Sequence, residues 1–235
     1  MNIDFYNQLQ KELSETSQKA RLIAVTKYSS AEEVNEAIKQ GVTIIGENRL
    51  QVAEEKFKEL EGFSRKAIQQ SDSSLSLRER AGVRAEKHFI GTIQSKKLRK
   101  IIQLFDVIES VGSWDHLEKI NTIAVEEGKK VRVFLQVNIS SEMQKSGFKP
   151  SELEGVEQKI SSFRNVQIEG LMGMAENTRD ELDIRMQFRL AKNIFENLKG
   201  VILSMKELSL GMSHDYKIAL EEGATLIRIG SKLFK

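Results

Sequence analysis

The chain has 235 residues, 40% of them hydrophobic and 30% charged, proportions of a soluble globular protein that exclude disorder as the global answer. Its 36 basic and 34 acidic residues leave a formal charge of +2, so no basic field points to nucleic acid or a membrane surface, and a small ligand is the expected partner. The absence of cysteine removes disulfides, thiol nucleophiles and cysteine-bound zinc, and is compatible with the reducing cytoplasm where we expect the protein. Met1 to Lys19 has no long apolar run and is expected to be a helix, not a secretory signal. No stretch approaches the roughly 20 apolar residues that span a bilayer, and His88, His116 and His214 lack metal-ligand spacing.

In chain order, Ile3, Leu9 and Leu13 space one face of an opening helix that ends near Ser17. Leu22 to Thr26 is an apolar run of strand length with Lys27 at its end. Ser30-Ala31-Glu32-Glu33 is a capping-box pattern that starts a helix with Val34, Ala37 and Ile38 inward and Gly41 as its stop. Val42 to Ile45 is a second strand, turned by Gly46-Glu47-Asn48 into a helix from Arg49 to Leu60. Lys87 to Ile90 is a third strand, with a helix from Gln94 to Leu104 after Gly91. Asp106 to Glu109 is a fourth, followed by a helix from Trp114 to Glu127. Val131 to Ile139 is the fifth and longest, with a helix from Glu152 to Ser162 after Pro150. Val166 to Leu171 is the sixth, followed by a helix from Arg179 to Leu198. Glu207 to Leu210 is the seventh, with a helix from Ser213 to Glu222, and Ala224 to Ile229 is the eighth.

Strands that are apolar throughout are buried on both faces, as in a parallel sheet covered by helices. Eight strand–helix units in one domain spanning 1–235 predict an α/β fold, a (β/α)8 TIM barrel, over an open doubly wound sheet, which one misread strand would leave standing. The segment from Ser64 to Glu86 is too long and polar for a helix-to-strand link and is expected to be a flexible insertion. It enters a strand, so it belongs at the N-terminal barrel face, away from chemistry.

The opposite face collects the strand ends, and this nominates Lys27, Asn48, Gly91, Asn138, Met172, Ser213, Arg228, Gly230 and Ser231. Leu208 to Asp215 and Arg228 to Ser231 supply the two loops after strands seven and eight, where barrels most often hold phosphate against helix N-termini. A lysine closing an apolar strand is expected to be desolvated, which frees its amine as a nucleophile toward carbonyls. Lysine with a phosphate cradle points to a phosphorylated aldehyde. Each nominee has a plainer reading. Lys27 could reach solvent from the strand end, Ser213 could cap its helix with Asp215 supporting the dipole, and Arg228 could pair with a carboxylate such as Glu47. His88 reads more readily as a satisfied core histidine than as an acid or base, Lys96, Lys97, Arg99 and Lys100 as a solvated helix face, and Gly170 to Met174 as barrel wall.

The ordered segments Ala24-Val25-Thr26-Lys27, Gly46-Glu47-Asn48, His88-Phe89-Ile90-Gly91, Asn138-Ile139-Ser140, Lys145-Ser146-Gly147, Gly170-Leu171-Met172, Leu208 to Ser213 and Arg228-Ile229-Gly230 resemble, nearly end to end, the YggS/PROSC-type pyridoxal 5′-phosphate (PLP) homeostasis proteins. The resemblance implies a PLP barrel like the N-terminal domain of alanine racemase, with Lys27 joined to the aldehyde as a Schiff base. It implies Ser213, Gly230 and Ser231 at the phosphate, Arg228 facing the pyridine nitrogen and Asn48 lining the ring pocket. Such proteins carry and buffer PLP in intracellular vitamin B6 homeostasis, mostly as monomers, without committed catalysis, and deliver it transiently to apo-enzymes. Ser231 stands where the family often has Thr and keeps the hydroxyl, and the chain stops near the start of the last barrel helix.

Two other readings stay open. An amino-acid racemase needs a base on each face of the substrate carbon, and racemases of this fold take the second from an added β-domain. A phosphosugar aldolase would use Lys27 without PLP but lacks an acid–base pair at neighbouring strand ends.

Overall fold

Hydrogen-bonding groups along the apolar runs find their partners in one another. In the computed structural model, eight parallel strands pair in chain order and the eighth returns to the first, closing the barrel. The structure describes residues 1–69, 85–140, 142 and 146–234, without the side chains of 61–69. Helix α1 (Ile3–Glu15) precedes β1 (Arg21–Val25), and the units continue with α2 (Ala31–Lys39), β2 (Ile44–Glu47), α3 (Leu50–Gln69), β3 (Glu86–Phe89), α4 (Leu98–Leu104), β4 (Val107–Val111), α5 (Trp114–Glu126) and β5 (Val131–Val137). Then come α6 (Val156–Ile160), β6 (Val166–Gly173), α7 (Glu181–Lys199), β7 (Glu207–Ser209), α8 (Tyr216–Glu221), β8 (Leu226–Ile229) and α9 (Ser231–Phe234).

The capping box before α2 is present in full: Ser30 Oγ accepts from Glu33 N, and Glu33 Oε2 accepts from Ser30 N at 2.8 Å. Gly41 follows that helix with φ +106°, a left-handed turn that a side chain would strain.

The core has two parts, as alternation along a closed sheet requires. Ile23, Ile44, Val107, Phe134, Met172 and Leu226 form an apolar cluster inside the barrel. Leu22, Ala24, Ile45, Phe89, Ile108, Leu208, Ile227 and Ile229 point outward and join the helices in a second, larger cluster. One residue of slip would exchange the two sets.

Several expected boundaries move. Helix α3 runs on to Gln69 past Gly62, since a glycine weakens a helix by about 1 kcal/mol without being obliged to end it. The insertion expected over 64–86 therefore loses its first residues to α3 and its last to β3, and residues 70–84 lie outside the described ones. Strand β5 stops at Val137 and β6 is the longest, with eight residues. The helix expected from Glu152 is a 3₁₀ turn, Pro150–Leu153, followed by the five-residue α6. Among the described residues no helix is long and apolar enough to cross a membrane.

Candidate functional site

Parity along the strands decides what faces the barrel mouth. Val25 points inward, Thr26 is buried toward α3, and Lys27, one step further, turns in again at the C-terminal end of β1. A cavity of about 530 Å3 opens there, lined by Lys27, Asn48, Met172, Ser213, Arg228, Gly230 and Ser231, with Tyr28, His214 and Phe234 also on its wall. The structure thus brings together Lys27, Asn48, Ser213, Arg228, Gly230 and Ser231 from the ends of β1, β2, β7 and β8. Met172 and Met174 line the same space, so the stretch expected to be barrel wall is also pocket wall.

Lys27 differs from its expectation. Its side chain is exposed, with Nζ 5.0 Å from the centre of the Tyr28 ring. The desolvated amine predicted from the sequence is not found, because β1 ends two residues earlier and, among the described residues, nothing packs over the side chain at the cavity mouth. A lysine that is buried beside the site is Lys56, on α3, 6% exposed. Its Nζ donates to Thr26 O at 2.6 Å and to Glu47 Oε1 at 2.5 Å, and Thr26 Oγ1 donates to the same carboxylate oxygen at 2.7 Å. These bonds tie together the residue before Lys27 and the residue before Asn48. The sequence does carry a signal: Lys56 interrupts the apolar face of α3 made by Leu50, Ala53 and Phe57.

Glu47 and Arg228 lie on opposite faces of the sheet, so the pairing weighed for them does not form. Arg228 points into the barrel and is 4% exposed. Its Nη1 donates to Ser209 O (2.9 Å) and Oγ (2.7 Å), and Nη2 donates to Gly173 O (2.9 Å). Burial lowers its pKa, opposed by the charges of Glu109 and Asp215.

The two phosphate-type loops meet: Ser231 Oγ donates to Ser213 Oγ at 3.2 Å. Ser213 is not the cap of its helix, because α8 begins only at Tyr216. The buried Asp215 carboxylate accepts from Met212 N at 2.5 Å and closes a turn over 212–215 that keeps Ser213 outside the helix. Gly211 (φ +77°) lets this loop lie on α8, where a Cβ would stand 2.6 Å from Ala219 Cβ. Gly230 passes close to β1, with a Cβ position 3.0 Å from Val25 O.

Asn48 carries a buried Oδ1 without a hydrogen-bond partner, the kind of group a bound ligand satisfies. Its backbone is pressed against β3: a Cβ on Gly91 would fall 2.0 Å from Asn48 O. Gly91 therefore supports the pocket from behind. Asn138 does not line it: Oδ1 accepts from Ser140 N and Oγ at 3.0 and 2.8 Å, and Nδ2 donates to Glu142 O at 2.9 Å.

His88 is the core histidine that the pattern favours. Its Nδ1 lies 2.5 Å from Glu109 Oε1 and its Nε2 3.2 Å from Glu86 Oε2. Burial alone would lower its pKa, but the hydrogen bond to Glu109 and the nearby carboxylates of Glu109 and Glu86 outweigh it and push the imidazolium up to about 9. The close contact with His88 draws Glu86 down to about 2, with Arg132 adding to it. Sequence reasoning passed over Glu109 and Ser209, although each is a polar residue at an inward-facing strand position.

The sequence profile of the family described as "Alanine racemase, N-terminal domain" matches residues 5–235. A protein named pyridoxal phosphate homeostasis protein from Vibrio alginolyticus is 31% identical over 219 residues, 93% of this chain and 87% of that one. PipY of Synechococcus elongatus is 32% identical, covering 97% of this chain and 99% of its own, with TM-scores of 0.82 without PLP and 0.79 with PLP bound. An alanine racemase from Clostridium difficile, 17% identical with a TM-score of 0.73 over 99% of this chain and 56% of its own, shares the fold.

Proposed function

Because the chain belongs to the pyridoxal phosphate homeostasis proteins, within the alanine racemase N-terminal domain family, we propose that it binds PLP in the cavity at the C-terminal barrel face. On this reading it carries and buffers the cofactor in vitamin B6 homeostasis, as a cytoplasmic monomer that passes it transiently to apo-enzymes. The observation that carries the reading is the gathering of an amine, a guanidinium, a partnerless amide oxygen and two adjacent serine hydroxyls around one cavity of about 530 Å3, a size suited to one small ligand.

PLP, when bound, supplies an aldehyde, a phosphate dianion and a pyridine ring. Lys27 Nζ is the amine that would hold the aldehyde covalently, and its exposure lets it exchange protons with water directly. Ser213 and Ser231 offer hydroxyl donors for phosphate, and Gly230 keeps the backbone close to β1 without a side chain in the way. Asn48 presents its amide to the ring. Arg228 offers N–H donors to the ring nitrogen but no proton to give, which leaves the ring a weak electron sink and favours carriage over catalysis. Racemisation would need bases on both faces of a substrate carbon. Of the tyrosines, only Tyr28 reaches the cavity, 77% exposed.

The test is titration of the purified protein with PLP, followed by borohydride reduction and peptide mass mapping. A visible band that appears on mixing, a mass increment on the Lys27 peptide, loss of both in Lys27→Ala, and D- and L-amino acids left unchanged are expected. Protein that PLP cannot colour refutes the proposal, and measurable racemisation replaces it with the enzyme reading.

A further inference from the structure

Behind the pocket, polar side chains cross the barrel interior in an unbroken line. Arg228 Nη1 donates to Ser209 Oγ at 2.7 Å, Ser209 Oγ donates to Glu109 Oε2 at 2.7 Å, and Glu109 Oε1 lies 2.5 Å from His88 Nδ1. Beyond His88, Nε2 faces Glu86 at 3.2 Å, and Glu86 is paired with Arg132, which also holds Glu169 at 2.7 Å. Arg228, Ser209, Glu109 and His88 are all buried, the least so at 4% exposed.

The direction of each bond follows from the donor inventory. Arginine can only donate, so Ser209 accepts from Arg228 and its single proton is committed to Glu109. Glu109 then accepts at both oxygens and is the carboxylate that balances a buried guanidinium it does not touch. The hydrogen bonds of Arg228 within the chain go to Ser209 O, Ser209 Oγ and Gly173 O, which engage three of its five N–H donors. Two bonds on one nitrogen and one on the other fix the plane of the fork and leave the remaining donors for what enters the cavity.

We propose that Ser209 and Glu109, backed by His88, are positioning residues that hold the Arg228 guanidinium in the plane in which it meets the ring of a bound pyridine ligand. This rests on the reading of the cavity as a PLP site. The serine is the sensitive link, because it touches Arg228 through two atoms and Glu109 through one. His88 closes the line from the far side, its Nδ1 2.5 Å from the Glu109 oxygen that Ser209 does not use.

Two measurements decide it. In the ligand-free protein, the guanidinium N–H signals of Arg228, assigned by their absence in Arg228→Lys, are recorded by 1H–15N NMR. Slow exchange in the wild type, fast exchange in Ser209→Ala and Glu109→Gln, and recovery in Ser209→Thr are expected. In parallel, PLP is titrated by its visible absorbance: Ser209→Ala binds roughly tenfold more weakly with a displaced band, and Ser209→Thr restores both. Arg228 signals and a PLP band that are the same in Ser209→Ala as in the wild type overturn the relay. Wild-type protein that leaves PLP uncoloured overturns the reading of the cavity instead, and the NMR arm still decides whether Ser209 and Glu109 hold Arg228.

Discussion

Replacing Lys56 by Met tests the buried pair that joins the two pocket strands. The variant keeps most of the length of the side chain and removes its charge, leaving Glu47 at 0% exposure with Oε1 bonded to Thr26 Oγ1 and Oε2 without a partner. An unpaired buried charge costs about 3–5 kcal/mol, a large share of the roughly 5–15 kcal/mol that holds a folded domain together. For a chain of this size that corresponds to a fall in Tm of about 6–20 °C. The Glu47→Gln, Lys56→Met double variant removes both charges while keeping an oxygen for Thr26, and recovers most of the loss. Guanidinium unfolding followed by far-UV circular dichroism and Trp114 fluorescence measures all four corners of the cycle. A single Lys56→Met cost below about 1 kcal/mol, or a double variant as unstable as the sum of the singles, refutes the reasoning. Because Thr26 and Glu47 immediately precede Lys27 and Asn48, PLP affinity falls in the single variant and returns in the double.

His88 makes stability depend on pH. Its folded pKa of about 9 lies above the ordinary 6.5, so its contribution is complete below pH 6.5 and is lost as pH rises through 9; the magnitude is on the order of 3 kcal/mol. Urea midpoints between pH 6 and 10 should fall in the wild type and stay flatter in His88→Asn. Glu86, drawn down to about 2 from 4.5, contributes above pH 4.5 and loses that contribution as the pH falls toward 2, and Glu86→Gln removes this acid limb. Gly91→Ala forces a Cβ to within 2.0 Å of Asn48 O and should cost at least roughly 2 kcal/mol while weakening PLP binding. A variant with unchanged Tm and affinity would show that the β3 end does not press on Asn48. Ser213→Ala and Ser231→Ala should each weaken PLP binding roughly tenfold or more, the worth of a hydrogen bond to a charged group, while Ser231→Thr binds like the wild type. Equal affinity in all three would remove the hydroxyls from the phosphate seat.

Much of the site is legible in the sequence because glycine and polar residues at strand ends are local signals. Ser213, Gly230 and Ser231 announce themselves in two glycine turns separated by one helix and one strand, and they do line one cavity with Lys27 and Arg228. What misleads is burial inferred from composition. Lys27 follows an apolar run and reads as desolvated, yet it is exposed; Lys56, for which no expectation was drawn, is buried. A side chain's environment depends on what packs over it: α3 presses Lys56 onto the ends of β1 and β2, while among the described residues nothing packs over Lys27. The Arg228–Glu47 pairing fails for a simpler reason, since alternation sends those side chains to opposite faces of the sheet.

By itself the sequence determined the eight strand–helix units, their parallel order and the family, because apolar period, capping residues and motif order are written within short stretches of chain. Only the tertiary structure decided which polar residues meet: that Glu109 balances Arg228 through Ser209, and that Glu47 belongs to Lys56. Those partners are 19 to 100 residues apart or on different secondary elements, and closing the barrel is what brings them within hydrogen-bond reach.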